Sequence, residues 1–185
     1  MHSADTPDVA HPRSVTGIDT VIDTARLVLR ALRPDDLDDL TDYHSLPEVF
    51  RHQDHEPWDR EQLSRMLAFE VRQARLPYAV TGRILLGAAL KETGRIVGEV
   101  MIADVGGVHE VGCTFHPDHQ GRGLATEAVG ALLTHAFGRL GVERVQACSR
   151  PDNARAIRTL EGLGMHRTGS TDGFSVYELE APRHR

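Results

Sequence analysis

The chain has 185 residues, 40% of them hydrophobic and 26% charged, enough to bury the core of one domain with at most a short tail. With 21 Lys and Arg against 27 Asp and Glu the formal charge is −6, which disfavours non-specific binding to nucleic acid or to an anionic membrane and suits a cationic amine as substrate. No apolar run approaches the roughly eighteen residues of a membrane span, and Cys113 and Cys148, each in an apolar segment, read as small core hydrophobes, so a soluble, cytoplasmic protein is expected.

Residues 1–20 mix Pro, Ser, Thr, Asp and His without sustained period and are expected to be a flexible tail, leaving 21–185 as the domain. TARLVLR alternates Leu27 and Leu29 with Arg26, Val28 and Arg30, the pattern of a strand with one buried face. Pro34 opens a helix through PDDLDDLTDYH, and Leu63, Met66, Leu67 and Val71 form the apolar stripe of a second helix over about 60–74. RILLGAAL and IVGEVMIADV read as a hairpin turning at Gly94, and VHEVGCTF as the next strand after Gly106-Gly107. A helix follows from Ala125 to Leu140 with Gly141 as its stop, then a strand RVQACS. Another helix runs through NARAIRTLEGLGM, capped by Asp152 or Asn153 and ended by Gly164, and FSVYELE closes the chain as a strand. The sum is mixed α+β: antiparallel strands passing into β-α-β-α-β.

Between VGCTF and the helix from Ala125 lies HPDHQGRGLATE. A strand entering a helix through glycines gathers unpaired main-chain amides at the positive end of the helix dipole, the arrangement of an anion site. Gly121 and Gly123 permit close approach of the backbone to a phosphate, and Arg122 adds a positive charge; an unliganded strand-to-helix turn is the plainer alternative. A Walker A loop is excluded because no Gly-Lys-Ser/Thr occurs, and a dinucleotide fingerprint is disfavoured because Thr126 stands where its third glycine belongs.

Gln120-Gly121-Arg122-Gly123-Leu124-Ala125 resembles the Q/R-x-x-G-x-G/A loop of the GNAT (Gcn5-related N-acetyltransferase) superfamily. ATEAVGALLTHAF resembles the family's next helix, and NARAIRTLEGLGM its N-x-x-[AS]-x-x-x-x-E-x-L-G-[FM] segment. The resemblance extends over Thr24 to Glu180, with its specific part between Glu110 and Met165; TARLVLR, SLPEVFR and EVGCTFHPDHQGRGLATEA are similar to the RimJ/RimL-like branch of ribosomal-protein N-terminal acetyltransferases. It implies the GNAT fold, a central mostly antiparallel sheet with a splayed parallel strand pair and flanking helices. It also implies acetyl-CoA or another acyl-CoA as co-substrate, without a metal.

On this resemblance the amides from Gly121 to Thr126, following Gln120, hold the pyrophosphate, and the strand Cys113, Thr114, Phe115 pairs with the pantetheine arm between VHEVGCTF and RVQACS. Asn153 bonds the pantetheine side or simply caps its helix. Arg158, with Arg155, either meets the terminal phosphate or is a solvated helix face.

Attack of an amine on a thioester requires a neutral nucleophile, a polarised carbonyl and a leaving thiolate. An N-H on Cys113 to Phe115 is the expected carbonyl donor, and Glu110 or Glu99 the expected base, direct or through water; both carboxylates can instead be solvated. The chain departs from relatives that carry Tyr at Leu160, Ser at Ala156 or Glu at Cys148, so the thiolate leaves unassisted or with Ser149, Tyr177 or water.

His52, Asp54, His55 and Glu56 precede Trp58. Their spacing fits no zinc motif, and Asp54, Glu56 and Trp58 are assigned to acceptor recognition against the alternative of a solvated loop. The acceptor is expected to be a protein N-terminus or a small-molecule amine, and the protein a monomer or homodimer. The opposing reading is a module that holds acyl-CoA without turnover.

Overall fold

The computed structural model describes residues 20–53 and 56–182. The expected tail therefore falls outside the described residues except for Thr20, which is buried. A two-residue strand β1 (Ile22–Asp23) pairs antiparallel with β2 (Leu27–Arg30), in which Leu27 and Leu29 are fully buried as their alternation requires. Pro34 to Asp36 form a 3-10 turn before α1 (Leu37–His44), so the helix starts three residues later than the proline suggests. The reason is Asp36: its carboxylate takes Arg30 as a fork, 2.8 Å to each nitrogen, and accepts the Arg33 amide at 2.7 Å, which holds the turn tight against β2.

A four-residue helix α2 (Pro47–Phe50) and the long α3 (Arg60–Gln73) follow, the latter started by a reciprocal cap in which Asp59 accepts the Gln62 amide and Gln62 the Asp59 amide. After a short α4 (Tyr78–Thr81), β3 (Arg83–Leu90), β4 (Ile96–Val105) and β5 (Val108–Phe115) form an antiparallel meander. α5 (Leu124–His135) continues through a π turn at Ala136–Leu140 and stops at Gly141. Then come β6 (Arg144–Ser149), α6 (Ala154–Gly162), β7 (His166–Thr171) and β8 (Phe174–Glu180).

The eight strands form one sheet in the order β1-β2-β3-β4-β5-β6-β8-β7, antiparallel except for β5 with β6, with helices on both faces. One core lies against α5 and holds Leu86, Val100, Ile102, Leu132 and Val145; a second, around Leu40, Tyr43 and Leu67, lies under α1 and α3 on the other face. The mixed α+β class and the strand pattern agree with the sequence. The strands β1 and β7 do not appear in that reading: β1 is two residues long, and HRTGST has no buried face, all six of its residues being exposed on the sheet edge.

Candidate active site

β5 and β6 are bonded only at His109↔Val145 and Glu110↔Gln146. Beyond these pairs they part, and β6 is carried away by its continuous pairing with β8 from Arg144 to Ser149. The amide of His116 donates to Val97 O at 2.9 Å, and the β4–β5 register runs unbroken from Gly98↔Phe115 to Val105↔Val108. Thr114, Gly112 and Glu110 therefore turn their main-chain groups toward β4; Val111 turns its N-H to Gln146 of β6, and its carbonyl, with the groups of Cys113 and Phe115, faces the gap. Of the expected strand, Cys113 and Phe115 thus offer donors to the gap and Thr114 does not. The Phe115 carbonyl is already used, accepting the Gln120 side-chain amide at 2.7 Å.

Cys113 is exposed, although Val111 and Phe115 on the same face of β5 are buried in the core. Solvent enters there because no strand covers it. Protein crowds the sulfur on the remaining sides, and this desolvation pushes the thiol up to about 11. Cys148 on β6 is exposed as well. Cys148 is not the core hydrophobe expected from its segment: it shares a face of β6 with Arg144 and Gln146, opposite Val145 and Ala147 in the core.

The loop after β5 starts with a 3-10 turn, Pro117–His119, which His116 caps by accepting the Asp118 amide on Nδ1 at 3.1 Å. His119 beside it is held below the ordinary histidine range by desolvation, then by His116 and Arg122, so at neutral pH it adds no charge to the loop. Gln120 donates its amide to Pro117 O at 3.1 Å, and Glu127 donates its amide to Gly123 O at 3.0 Å. Between them, among the described residues, no main-chain N-H from Gly121 to Thr126 donates a hydrogen bond. The free row begins at Gly121, one residue later than the sequence motif. Gly121 and Gly123 both have positive φ, 74° and 75°, a conformation that a β-carbon would strain. Leu124 is buried in the core, so it and Phe115 contribute backbone only; Arg122 is exposed, and Ala125 and Thr126 are half-buried.

Glu99, on β4 directly opposite Thr114, faces α1. Its Oε1 lies 2.8 Å from His44 Nε2, with both side chains almost fully buried. Against a carboxylate, Nε2 is the donor, which leaves Nδ1 without a partner; Glu99 Oε2 and Tyr43 Oη are likewise buried and unpartnered among the described residues. Burial, then Glu99, pushes the Tyr43 phenol well above its ordinary range and keeps it protonated. Three orphaned polar atoms on adjoining side chains make an unsatisfied polar cluster beside the second core. Trp58 stacks on His44 with centroids 5.7 Å apart at 20°, and its amide donates to His44 O. Glu110 lies at the other end of β5, where that strand is still bonded to β6.

Of the remaining expected site residues, Asn153 caps α6, its Oδ1 accepting the Ala156 amide at 3.1 Å. Arg158 and Arg155 are exposed on that helix, and Glu56 is exposed. Asp54 and His55 lie outside the described residues. His52 reaches toward Asp152, 3.5 Å away, so the α2–α3 loop and the β6–α6 loop meet. No group of three metal-ligating side chains occurs among the described residues.

Sequence reasoning missed His44, although a signal was present. Leu37, Leu40 and His44 share one helix face at i, i+3 and i+7, which places a histidine in an apolar stripe. Its partner Glu99 lies 55 residues on, a separation that carries no periodic signal.

Residues 26–166 match the acetyltransferase (GNAT) domain family. N-acetyltransferase p20 of Bacillus licheniformis, itself uncharacterised, is 30% identical over 156 residues, 79% of this chain and 82% of that protein. In fold, the chain is similar to a GNAT-family acetyltransferase of Bacillus anthracis (TM-score 0.77, 20% identity, 88% of this chain and 99% of that one). It is also similar to Mycobacterium smegmatis RimJ, solved in complex with CoA-disulfide (TM-score 0.71, 19% identity, 90% of each chain). A family match over most of the chain, the shared fold, and free amides beside a splayed strand pair lead to one conclusion: the chain belongs to the GNAT family and is an N-acetyltransferase.

Proposed function

We propose that the chain carries an acetyl group from acetyl-CoA to a primary amine in the cytoplasm, by direct attack and without a covalent enzyme intermediate. The observation that carries this reading is the row of unbonded amides from Gly121 to Thr126 at the head of α5, next to the open edge of β5. The residues fit a CoA ester. The amides suit a diphosphate, and the Val111 carbonyl and the main-chain groups of Cys113, beyond the last β5–β6 pair, suit an extended amide-bearing arm. Acetyl-CoA supplies the acetyl group as a thioester.

The Cys113 N-H is the donor available to an acyl oxygen in the gap, a contact worth a few kcal/mol when pre-aimed. Glu99 takes the amine proton, directly or through one water, because it stands at the open end of β5, carries an unpartnered oxygen and is oriented by His44. Glu110 is the weaker base, being placed at the bonded end. No protein acid is assigned to the leaving thiolate. Ser149 Oγ donates to Arg150 O at 3.3 Å, and the Tyr177 ring packs in the main core. With pKa about 11 the Cys113 thiol is not a nucleophile at neutral pH. Trp58 and Glu56 would line the acceptor side, where the amine of a protein N-terminus or of a small molecule enters.

Thiol release with a panel of peptide N-termini, polyamines and aminoglycosides tests the reading. Glu99→Gln is expected to lower kcat about 100-fold or more with CoA affinity unchanged. Gly123→Asp, which sets a carboxylate in the amide row, is expected to abolish CoA binding measured by calorimetry. Retained CoA affinity in Gly123→Asp would remove the loop from the site.

A further inference from the structure

Glu127 is in the first turn of α5, directly after the free amides, where a carboxylate would repel a bound diphosphate. Its charge is turned away: Oε1 accepts the Thr24 hydroxyl at 2.6 Å and the Arg26 amide at 2.7 Å, and Oε2 accepts Arg26 Nε at 2.7 Å. The same guanidinium donates from NH1 to the Arg122 carbonyl at 2.7 Å, and NH2 lies 3.5 Å from where a β-carbon on Gly123 would stand. No peptide bond in the described residues is cis, and in a trans peptide the carbonyl and the following N-H point in opposite directions. Drawing Arg122 O toward β2 therefore aims the Gly123 N-H away from β2, into the open row. With glycine on that side of the peptide, rotation of the unit meets little steric resistance, so the orientation requires an external hold.

Resting on the acyl-CoA reading above, we propose that Arg26 is the positioning residue of the anion loop. It neutralises Glu127 and fixes the Arg122–Gly123 peptide so that the Gly123 amide faces the diphosphate of the acyl-CoA. Arg26 acts through the loop and carries no step of the acyl transfer.

The test compares ligands with and without the diphosphate. In Arg26→Ala the Kd for CoA rises about tenfold or more, the loss of roughly one charge-assisted contact, while turnover of S-acetylpantetheine, which has no diphosphate, is unchanged. Arg26→Lys keeps the charge but cannot span Glu127 and Arg122 O together, and behaves like Arg26→Ala. Unaltered CoA affinity in Arg26→Ala, or an equal loss with acetylpantetheine, overturns the proposal. Should the variants fail to fold, 15N-glycine-labelled wild-type protein titrated with inorganic pyrophosphate decides: the Gly123 amide resonance shifts if the proposal holds. Movement of Gly121 without Gly123 refutes it. Wild-type protein that binds neither CoA nor pyrophosphate refutes the acyl-CoA reading itself.

Discussion

Glu127 shows how a single side chain gains significance from residues 101 and 103 positions away. Burial alone would raise its carboxyl, but the Thr24 hydroxyl and the Arg26 amide and guanidinium outweigh that and hold it below the usual carboxylate range. A group depressed in the folded state stabilises the fold fully above its unfolded value, about 4.3 for glutamate, and loses that contribution as pH falls through the lower folded value. Glu127→Gln is accordingly expected to cost about 1–2 kcal/mol at pH 7, with the gap from wild type closing in acid. Urea titrations at pH 7 and pH 3 check this, and an equal deficit at both pH values would contradict it. Arg26 was legible in the sequence only as the solvent side of an alternating strand. Glu99 and Glu110 were both legible as candidate bases; the strand register puts Glu99 opposite Thr114 and Glu110 beside Gln146, which is the ground for proposing Glu99.

At the scale of elements, the helix α6 poses a question that its cap, Asn153, can answer. Asn153 Oδ1 caps the Ala156 amide, which satisfies the plain structural reading but leaves the role of the side-chain NH2 group to be tested. Asn153→Asp keeps a good cap and removes the donor, whereas Asn153→Ala removes both. Asn153→Ala is expected to lose about 1 kcal/mol and Asn153→Asp almost nothing. If the amide also bonds pantetheine, both raise the KM for acetyl-CoA. A KM unmoved in both variants leaves Asn153 as a cap alone. Helices and buried strands were readable because their apolar residues repeat at 3.6 or at 2, and β3, β4 and β5 fall where the alternation and glycines put them. β7 was not readable, since an exposed edge strand presents no periodic apolar face. The short α2 and α4 were not resolved either, four-residue turns being below the length at which a period shows.

For the whole molecule, the parted β5 and β6 leave one sheet incomplete, and a ligand that fills the gap binds only the folded state. CoA at a hundred times its Kd should add about 2.7 kcal/mol to stability, a rise in Tm of roughly 5–10 °C for a domain of this size, followed by scanning calorimetry. No rise at saturating CoA would count against the gap as the binding cleft. The sequence alone determined the α+β class, the order of most elements, the glycine loop before α5 and, through its motifs, the family; each of these depends on residues close together in the chain. Only the tertiary structure decided the His44–Glu99 pair, the Arg26–Glu127 clamp, the exposure of Cys113 and Cys148, and which amides of β5 face the gap. These depend on strand register and on where two strands separate, and both are set by packing between segments far apart in sequence, where local periodicity carries no information.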